Sequence, residues 1–350
     1  MGLAMIAIGL NGQTILIIMG LLFIGIGCLS LFCVFYCWRH LIPFMITLVE
    51  TVATVIKKNT GMILVSVLGS ILGIAWSLIV GLAIFLVYLE NKEEYKDVHQ
   101  GAQYAIYFVC TLIFIWGGLV AYNFCHVTYC GVFGRWYFKK DTGSQLRESL
   151  RVAGVTSFGS ICLGSFLIAV IRAMESTVRS MRRDAQGDGN AVACVLLCIL
   201  ECMISCIGDI MEYFSEWAFV QVACRGVSFC QAVRITYSMC SCANIVYIVQ
   251  DLLLDSVVNL GALLCGMAGA LGGGAAGYGM AGFESGGEMM VIVGLVIGLF
   301  AGLVAGGSAI GIFSSGVKTI LSCWAERPES LQETHPHIHA EFENKIMRNF

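Results

Sequence analysis

Apolar runs long enough to cross a bilayer alternate along the chain with short polar segments. Seven such runs stand near residues 14–37, 61–89, 103–125, 154–173, 191–214, 251–276 and 289–313. At about 1.5 Å of helical rise per residue, each covers the roughly 30 Å of a hydrocarbon core. The pattern predicts an all-α polytopic bundle, with residues 1–316 as the transmembrane part and 317–350 as a cytoplasmic tail. The only prolines, Pro43, Pro328 and Pro336, lie outside the runs, so a break inside a span has to use glycine. The stretch from Gly101 to Gly134 carries no formal charge and exceeds one upright span. It is expected to tilt or to break near Gly117-Gly118 or Gly131. Before the second run, LIPFMITLVETVATVIKK repeats apolar residues at helical spacing and ends in lysines, as an amphipathic surface helix would. The mixed segment from Ser215 to Tyr247 predicts further cytoplasmic or interfacial helices. The first run has neither a basic flank nor a cleavage site and reads as a span, not a signal peptide.

Small residues recur every fourth position in three runs: Gly69, Gly73, Ser77 and Gly81; Gly261, Cys265, Gly269, Gly273 and Gly277; Gly294, Gly298, Gly302 and Gly306. Such ladders let helix backbones approach closely in a solvent as apolar as the helices themselves. They serve either fixed packing or helices that slide, and they fit a helix-mediated oligomer. Cys194, Cys198, Cys202 and Cys206 form a similar stripe. It reads as small-residue packing, with metal binding or lipidation as the sharper alternatives. None of the 17 cysteines falls in the predicted external loops at 90–102 and 277–288, which points to reduced thiols.

Composition agrees: 58% of residues are hydrophobic and 12% charged, where soluble chains have about a quarter charged. Basic clusters set the orientation. Arg39, Lys57 and Lys58, and then Arg135, Lys139, Lys140, Arg147 and Arg151, mark cytoplasmic segments, with acidic ENKEEYKDVHQ external between them. The same alternation puts the C-terminus in the cytoplasm. Arg172, Arg179, Arg182 and Arg183 fall on the predicted outer side, so either the fourth span continues as a long polar helix or the count slips there.

Polar residues within the spans are the candidate chemistry. Asn123 and His126 stand in an apolar run where no water can bond them, and so must face protein, a cavity or a substrate. Tyr122, His126, Tyr129, Phe133 and Trp136 share a helical face, and aromatic faces bind quaternary ammonium groups. Trp136 and Tyr137 read better as an interfacial belt beside Arg135 and Lys139. Glu201, Ser205, Asp209, Glu212 and Glu216 also share a face. Glu201, near mid-span, is either a cation or proton site or a structural partner; the later acids either join it or pair with arginines such as Arg225. No zinc-protease pattern, nucleophile triad or phosphate loop occurs, so neither an enzyme nor a cofactor is expected. His335, His337 and His339 offer at most a weak metal site in a polar tail.

NFCHVTYCGVFGRWYF (123–138), TSFGSICLGSFLIAVIRAM (156–174) and MEYFSEWAFVQVACRGVSFCQAVR (211–234) follow one another in the order and spacing of the choline transporter-like family, which the chain resembles. RHLIPFMITLVETVATVIKKNTG and SCWAERPESLQETHPHIHAEF extend the likeness from Arg39 to Phe342. The resemblance implies ten-span carriers of choline or related amines, with both termini cytosolic, in plasma or organelle membranes. The seven spans then match the last seven of ten, and Met1 marks a fragment, a mis-assigned start or a shortened relative. The expected partners are choline or a similar quaternary amine and the lipid bilayer, without nucleic acid, in the plasma membrane. Tyr122 and Tyr129 are expected to contact the cation, Asn123 and His126 to orient it or couple protons, and Glu201 to balance charge. Two positions depart from the family pattern. Ser215-Glu216 stands where many relatives carry asparagine and then a basic or amide residue, and Lys318 stands where an acidic residue is common.

Overall fold

The computed structural model describes residues 25, 42–90, 99–138, 144–242, 245–281 and 287–347. The chain divides into two compact units, Met1–Glu50 with His337–Phe350, and Thr51–Pro336. Helix α1 (Ile42–Lys58) buries Phe44, Leu48, Val52 and Val55 at three- and four-residue spacing, as the amphipathic pattern predicts. In the first unit Phe44 meets Phe342 edge-on at 5.1 Å, and Thr47 donates a hydrogen bond to Glu341.

The second unit is built from α2 (Gly61–Glu90), α3 (Gln100–Tyr137), the short α4 (Gln145–Arg151), α5 (Phe158–Gly187), α6 (Ala191–Arg225), α7 (Phe229–Cys242), α8 (Ile245–Ala281), α9 (Gly287–Glu326) and α10 (Pro328–Thr334). The short α11 (Pro336–Met347) follows. Among the described residues there is no strand, and six helices have the length and apolar character of membrane spans. They coincide with the last six predicted runs. The first, at 14–37, lies outside the described residues. An all-α polytopic membrane protein is the fold.

Three expectations change. The long third run neither breaks at Gly117-Gly118 nor at Gly131: α3 is one helix of 38 residues, about 57 Å long at 1.5 Å per residue. Gly117 instead seats the ring of Trp76, whose Nε1 donates to the Phe114 carbonyl at 3.1 Å. Ser215–Arg225 is no separate interfacial helix but the end of α6, which stops where Gly226 takes φ +67°, a left-handed cap that suits glycine. Trp136 and Tyr137 are no interfacial belt. Trp136 lies on His335 with ring centroids 4.4 Å apart, and the buried Tyr137 hydroxyl donates to the Arg327 carbonyl at 3.0 Å.

The arginine-rich stretch is the second half of α5, a 30-residue helix, so the fourth run does continue as a long polar helix. Arg172 bonds Glu175, Asp209 and Glu212 at 3.0, 2.7 and 2.5 Å, and Arg179 bonds Glu175 and Glu201 at 2.7 and 2.8 Å. Arg182 reaches Glu201 at 2.6 Å. These three arginines are therefore partnered across the α5–α6 seam. Arg225 pairs with Glu326 at 2.5 Å, not with the acids of the α6 stripe.

Apolar packing concentrates at one end of the unit, where Val127, Ile161, Phe219, Val222 and Phe229 from α3, α5, α6 and α7 form a core. Elsewhere the helices turn large apolar side chains outward, among them Leu72, Ile79, Val192, Leu196 and Ile297, as lipid-facing surfaces do. Cys198, Cys202 and Cys206 are exposed on that surface, and Cys194 is half-buried.

The two later glycine ladders face each other. A methyl group on Gly298 would strike the Gly269 carbonyl and lie 2.9 Å from the Gly273 Cα, and one on Gly277 would lie 2.5 Å from the Met290 carbonyl oxygen. Helices α8 and α9 thus touch backbone to backbone. Replacing Gly298 by leucine forces them apart, with an expected loss of about 1–3 kcal/mol or more. Gly272→Leu, whose added atoms meet nothing within 4 Å, is expected to be neutral. Thermal melting of the two purified variants checks the contrast.

Candidate functional site

Helices α2, α3 and α9 enclose a cavity of about 1000 Å³. The α3 wall is the helical face Gly118, Ala121, Tyr122, Cys125, His126 and Tyr129. Its deep end carries the buried His126, Tyr129, Ser66 and Ser315, while Leu78, Ile297 and Phe300 at the other end are exposed. None of the lining residues bears a formal charge.

His126 is the hub of the deep end. Its Nε2 lies 3.1 Å from the backbone carbonyl of Glu216 on α6, and its Nδ1 lies 2.7 Å from Ser315 Oγ on α9. A carbonyl only accepts, so Nε2 donates. Ser315 Oγ is also 2.6 Å from the Gly311 carbonyl. Its one proton serves either that carbonyl or Nδ1. Tyr122 is stacked parallel to His126, with an interplanar angle of 1° and centroids 6.5 Å apart, and is half exposed.

The serines are largely consumed by the helices themselves. Ser66 donates to the Ser308 carbonyl at 2.8 Å, Ser77 to the Gly73 carbonyl at 2.9 Å, and Ser308 to the Val304 carbonyl at 2.5 Å. Ser70 and Ser308 share a hydroxyl contact of 2.9 Å. Tyr129 differs: it is 3% exposed, and its hydroxyl lies beside Ser66 and Cys125 without forming a well-aligned hydrogen bond.

Of the five residues singled out in the sequence, the structure brings three together, Tyr122, His126 and Tyr129. Asn123 points the other way and donates to Ser165 Oγ on α5 at 2.9 Å, which satisfies it inside the protein. Glu201 does not line the cavity. It sits in the α5–α6 seam between Arg179 and Arg182, and so is not the partner of His126 across the bundle. Sequence reasoning missed Ser315, Ser308 and Ser66. The spacing of Ser66, Ser70 and Ser77, and of Ser308 and Ser315, places each set on one helical face and was the available signal.

Beneath the cavity lies an ion pair. The carboxylate of Glu216 takes the ammonium of Lys318, a residue 2% exposed, and Lys318 also donates to Ser314 Oγ at 3.1 Å. The two positions that depart from the family pattern therefore meet in space, with acid on α6 and base on α9. A buried lysine without an acid would cost several kcal/mol, a cost that Glu216 removes.

A family model described as plasma-membrane choline transporter matches residues 21–329. Protein PNS1 of Gibberella zeae is 26% identical over 332 residues, covering 92% of this chain and 61% of that protein. PNS1 of Yarrowia lipolytica is 26% identical over 325 residues, covering 88% and 56%. A CTL-like protein of Dictyostelium discoideum is 25% identical over 310 residues, covering 86% and 52%. The chain thus spans roughly half to three fifths of the length of these curated relatives.

Removing the acid, by Glu216→Ala, is expected to cost about 3–5 kcal/mol of stability because the Lys318 ammonium stays buried, and Lys318→Ala less, because Glu216 is partly exposed. The exchange Glu216→Lys with Lys318→Glu should recover most of it. Melting temperatures of the two single variants and the double variant test the coupling.

Proposed function

We propose a transport function from one premise: the chain belongs to the plasma-membrane choline transporter family. It moves choline or a related organic cation across the plasma membrane by alternate opening of the α2–α3–α9 cavity, without covalent chemistry. The observation that carries this reading is the cavity itself, which gathers Tyr122, His126 and Tyr129 on one wall of membrane-spanning helices. A quaternary ammonium offers no hydrogen-bond donor and is held by aromatic faces, here Tyr122 and Tyr129. His126 orients the substrate side of the site, and its link to the Ser315 proton makes it the candidate for proton coupling. Asn123 supports the wall from behind through Ser165, and Glu201 balances the α5 arginines. With the C-terminus in the cytoplasm, inward movement of one positive charge gains about 2.3 kcal/mol per 100 mV of membrane potential.

The packing suggests which parts move together. The ladder contact binds α8 to α9, and the ion-pair seam binds α5 to α6. Between α6 and α9 run the Glu216–Lys318 pair, the Gln221 bonds to Ser322 and Glu326, the Arg225–Glu326 pair and the Cys224–Cys323 contact, with His126 of α3 bridging the two helices. Rocking of one pair against the other is the cheapest opening.

A second reading, a non-transporting membrane scaffold, rests on the exposed cysteine stripe of α6, a surface suited to a helix partner. Uptake of radiolabelled choline into vesicles separates the two. Transport predicts uptake above protein-free vesicles and at least a tenfold loss for His126→Ala at unchanged protein abundance. Glu201→Gln, by contrast, should lower abundance more than uptake per molecule. Uptake equal to that of empty vesicles, also from a form extended to the length of the relatives, would sink the transport reading.

A further inference from the structure

The cavity is far larger than a choline-sized head group requires. Its volume of about 1000 Å³ equals that of some thirty water-sized groups at about 30 Å³ each. Its polarity is graded. Around His126, Tyr129 and Ser315 it is polar and buried; beyond them Ile74, Leu78, Val296, Ile297, Phe300 and Leu303 line an apolar throat that opens to the lipid-facing surface at Leu78, Ile297 and Phe300. The one hydroxyl in that throat, that of Ser77, is spent on the Gly73 carbonyl. From Ser308 to Val296 the throat runs about 18 Å at 1.5 Å per residue. Gly73, Gly118 and Gly307 keep it open, since a methyl group on any of them would meet nothing within 4 Å.

Two observations at the deep end define the head group. Tyr129, 3% exposed, presents a hydroxyl that lies beside Ser66 and Cys125 but forms no well-aligned hydrogen bond, which a ligand oxygen would supply. The lining has no lysine, arginine or other formal positive charge, so a phosphate would find no hydrogen-bonding cation from the protein and only the ligand's own quaternary ammonium, which donates no hydrogen bond. We propose that this cavity takes single-chain amphiphiles: a quaternary ammonium head bearing an ester or hydroxyl oxygen, with an aliphatic chain of about eight to twelve carbons along the throat and no phosphate. The proposal rests on the transport reading for its cation and adds the chain. The head lies against Tyr122 with its oxygen at Tyr129, and the chain displaces nothing polar from the throat.

The test uses the full chain in nanodiscs, with binding measured calorimetrically against empty nanodiscs. The probes are tetramethylammonium, octyl- and dodecyltrimethylammonium, lauroylcholine and dodecylphosphocholine. Affinity is expected to rise about threefold per added methylene up to about ten carbons. Dodecylphosphocholine should bind at least tenfold more weakly than lauroylcholine. Gly73→Leu and Gly118→Leu, each placing bulk where an added Cβ meets nothing within 4 Å, should abolish the chain-length dependence. Tyr129→Phe should remove the advantage of lauroylcholine over dodecyltrimethylammonium. A melting profile like that of the parent establishes that each variant is folded, and either throat variant suffices. Affinity independent of chain length, with tetramethylammonium still bound, overturns the inference and leaves the cation reading intact. A chain-length dependence that survives both glycine variants is bilayer partitioning and overturns it equally. Failure of every cation to bind overturns both.

Discussion

Polar groups placed where no water reaches them must find partners within the protein, and most of this structure follows from how they do so. Two solutions divide the molecule. Along α5 and α6 the answer is charge against charge: Arg172, Arg179 and Arg182 interlock with Glu175, Glu201, Asp209 and Glu212. Around the cavity the answer is hydrogen bonding to backbone, with Ser66, Ser77, Ser308 and Ser315 each bound to a helical carbonyl. The first solution makes a stiff seam. The second makes a wall that is polar in composition and nearly neutral in what it offers a ligand, save for the Tyr129 hydroxyl.

A third device needs no polar group. Where α8 meets α9, glycine carbonyls and Cα atoms replace side chains as the contact surface. Lipid tails are as apolar as leucine, so helices gain little by burying leucine against each other, and close backbone approach supplies dispersion contacts that bulky interfaces cannot. Because α9 also lines the cavity, the backbone-to-backbone helix pair and the cavity wall share one helix. Displacement of that wall therefore carries α8 with it.

Much of this was legible in the sequence, and the exceptions share a cause. Apolar run length located the spans, since each helix must cover the hydrocarbon thickness whatever packs beside it. Helical phase brought Tyr122, His126 and Tyr129 to one wall because that phase is a local property. What failed depended on partners far along the chain. Trp136 and Tyr137 look like a membrane-edge belt beside Arg135, yet His335 and Arg327, some two hundred positions away, cover them. Asn123 and Glu201 were rightly expected to need partners, but nothing in the local pattern points to Ser165 or to Arg179 and Arg182 on a neighbouring helix. Gly117-Gly118 resembled a break because glycine permits one; the indole of Trp76 uses the same absence of a side chain as a seat.

The Glu216–Lys318 pair shows why local and non-local information have to be read together. In sequence the two residues stand 102 positions apart and nothing local links them. In space they are one ion pair, directly behind the histidine that floors the cavity. Reversing both charges preserves their attraction, whereas reversing one would place like charges side by side in a medium where screening is weak. The pair also settles what a ligand in the cavity experiences. An unpaired Glu216 would project a full negative charge past His126 towards the cavity, but with the Lys318 ammonium against it the distant field is that of a small dipole and falls off faster than a charge. The cavity is therefore electrostatically quiet from its walls and from beneath, and a cation lodged there has to be held by aromatic faces, the Tyr129 hydroxyl and apolar contact instead of by a counter-ion.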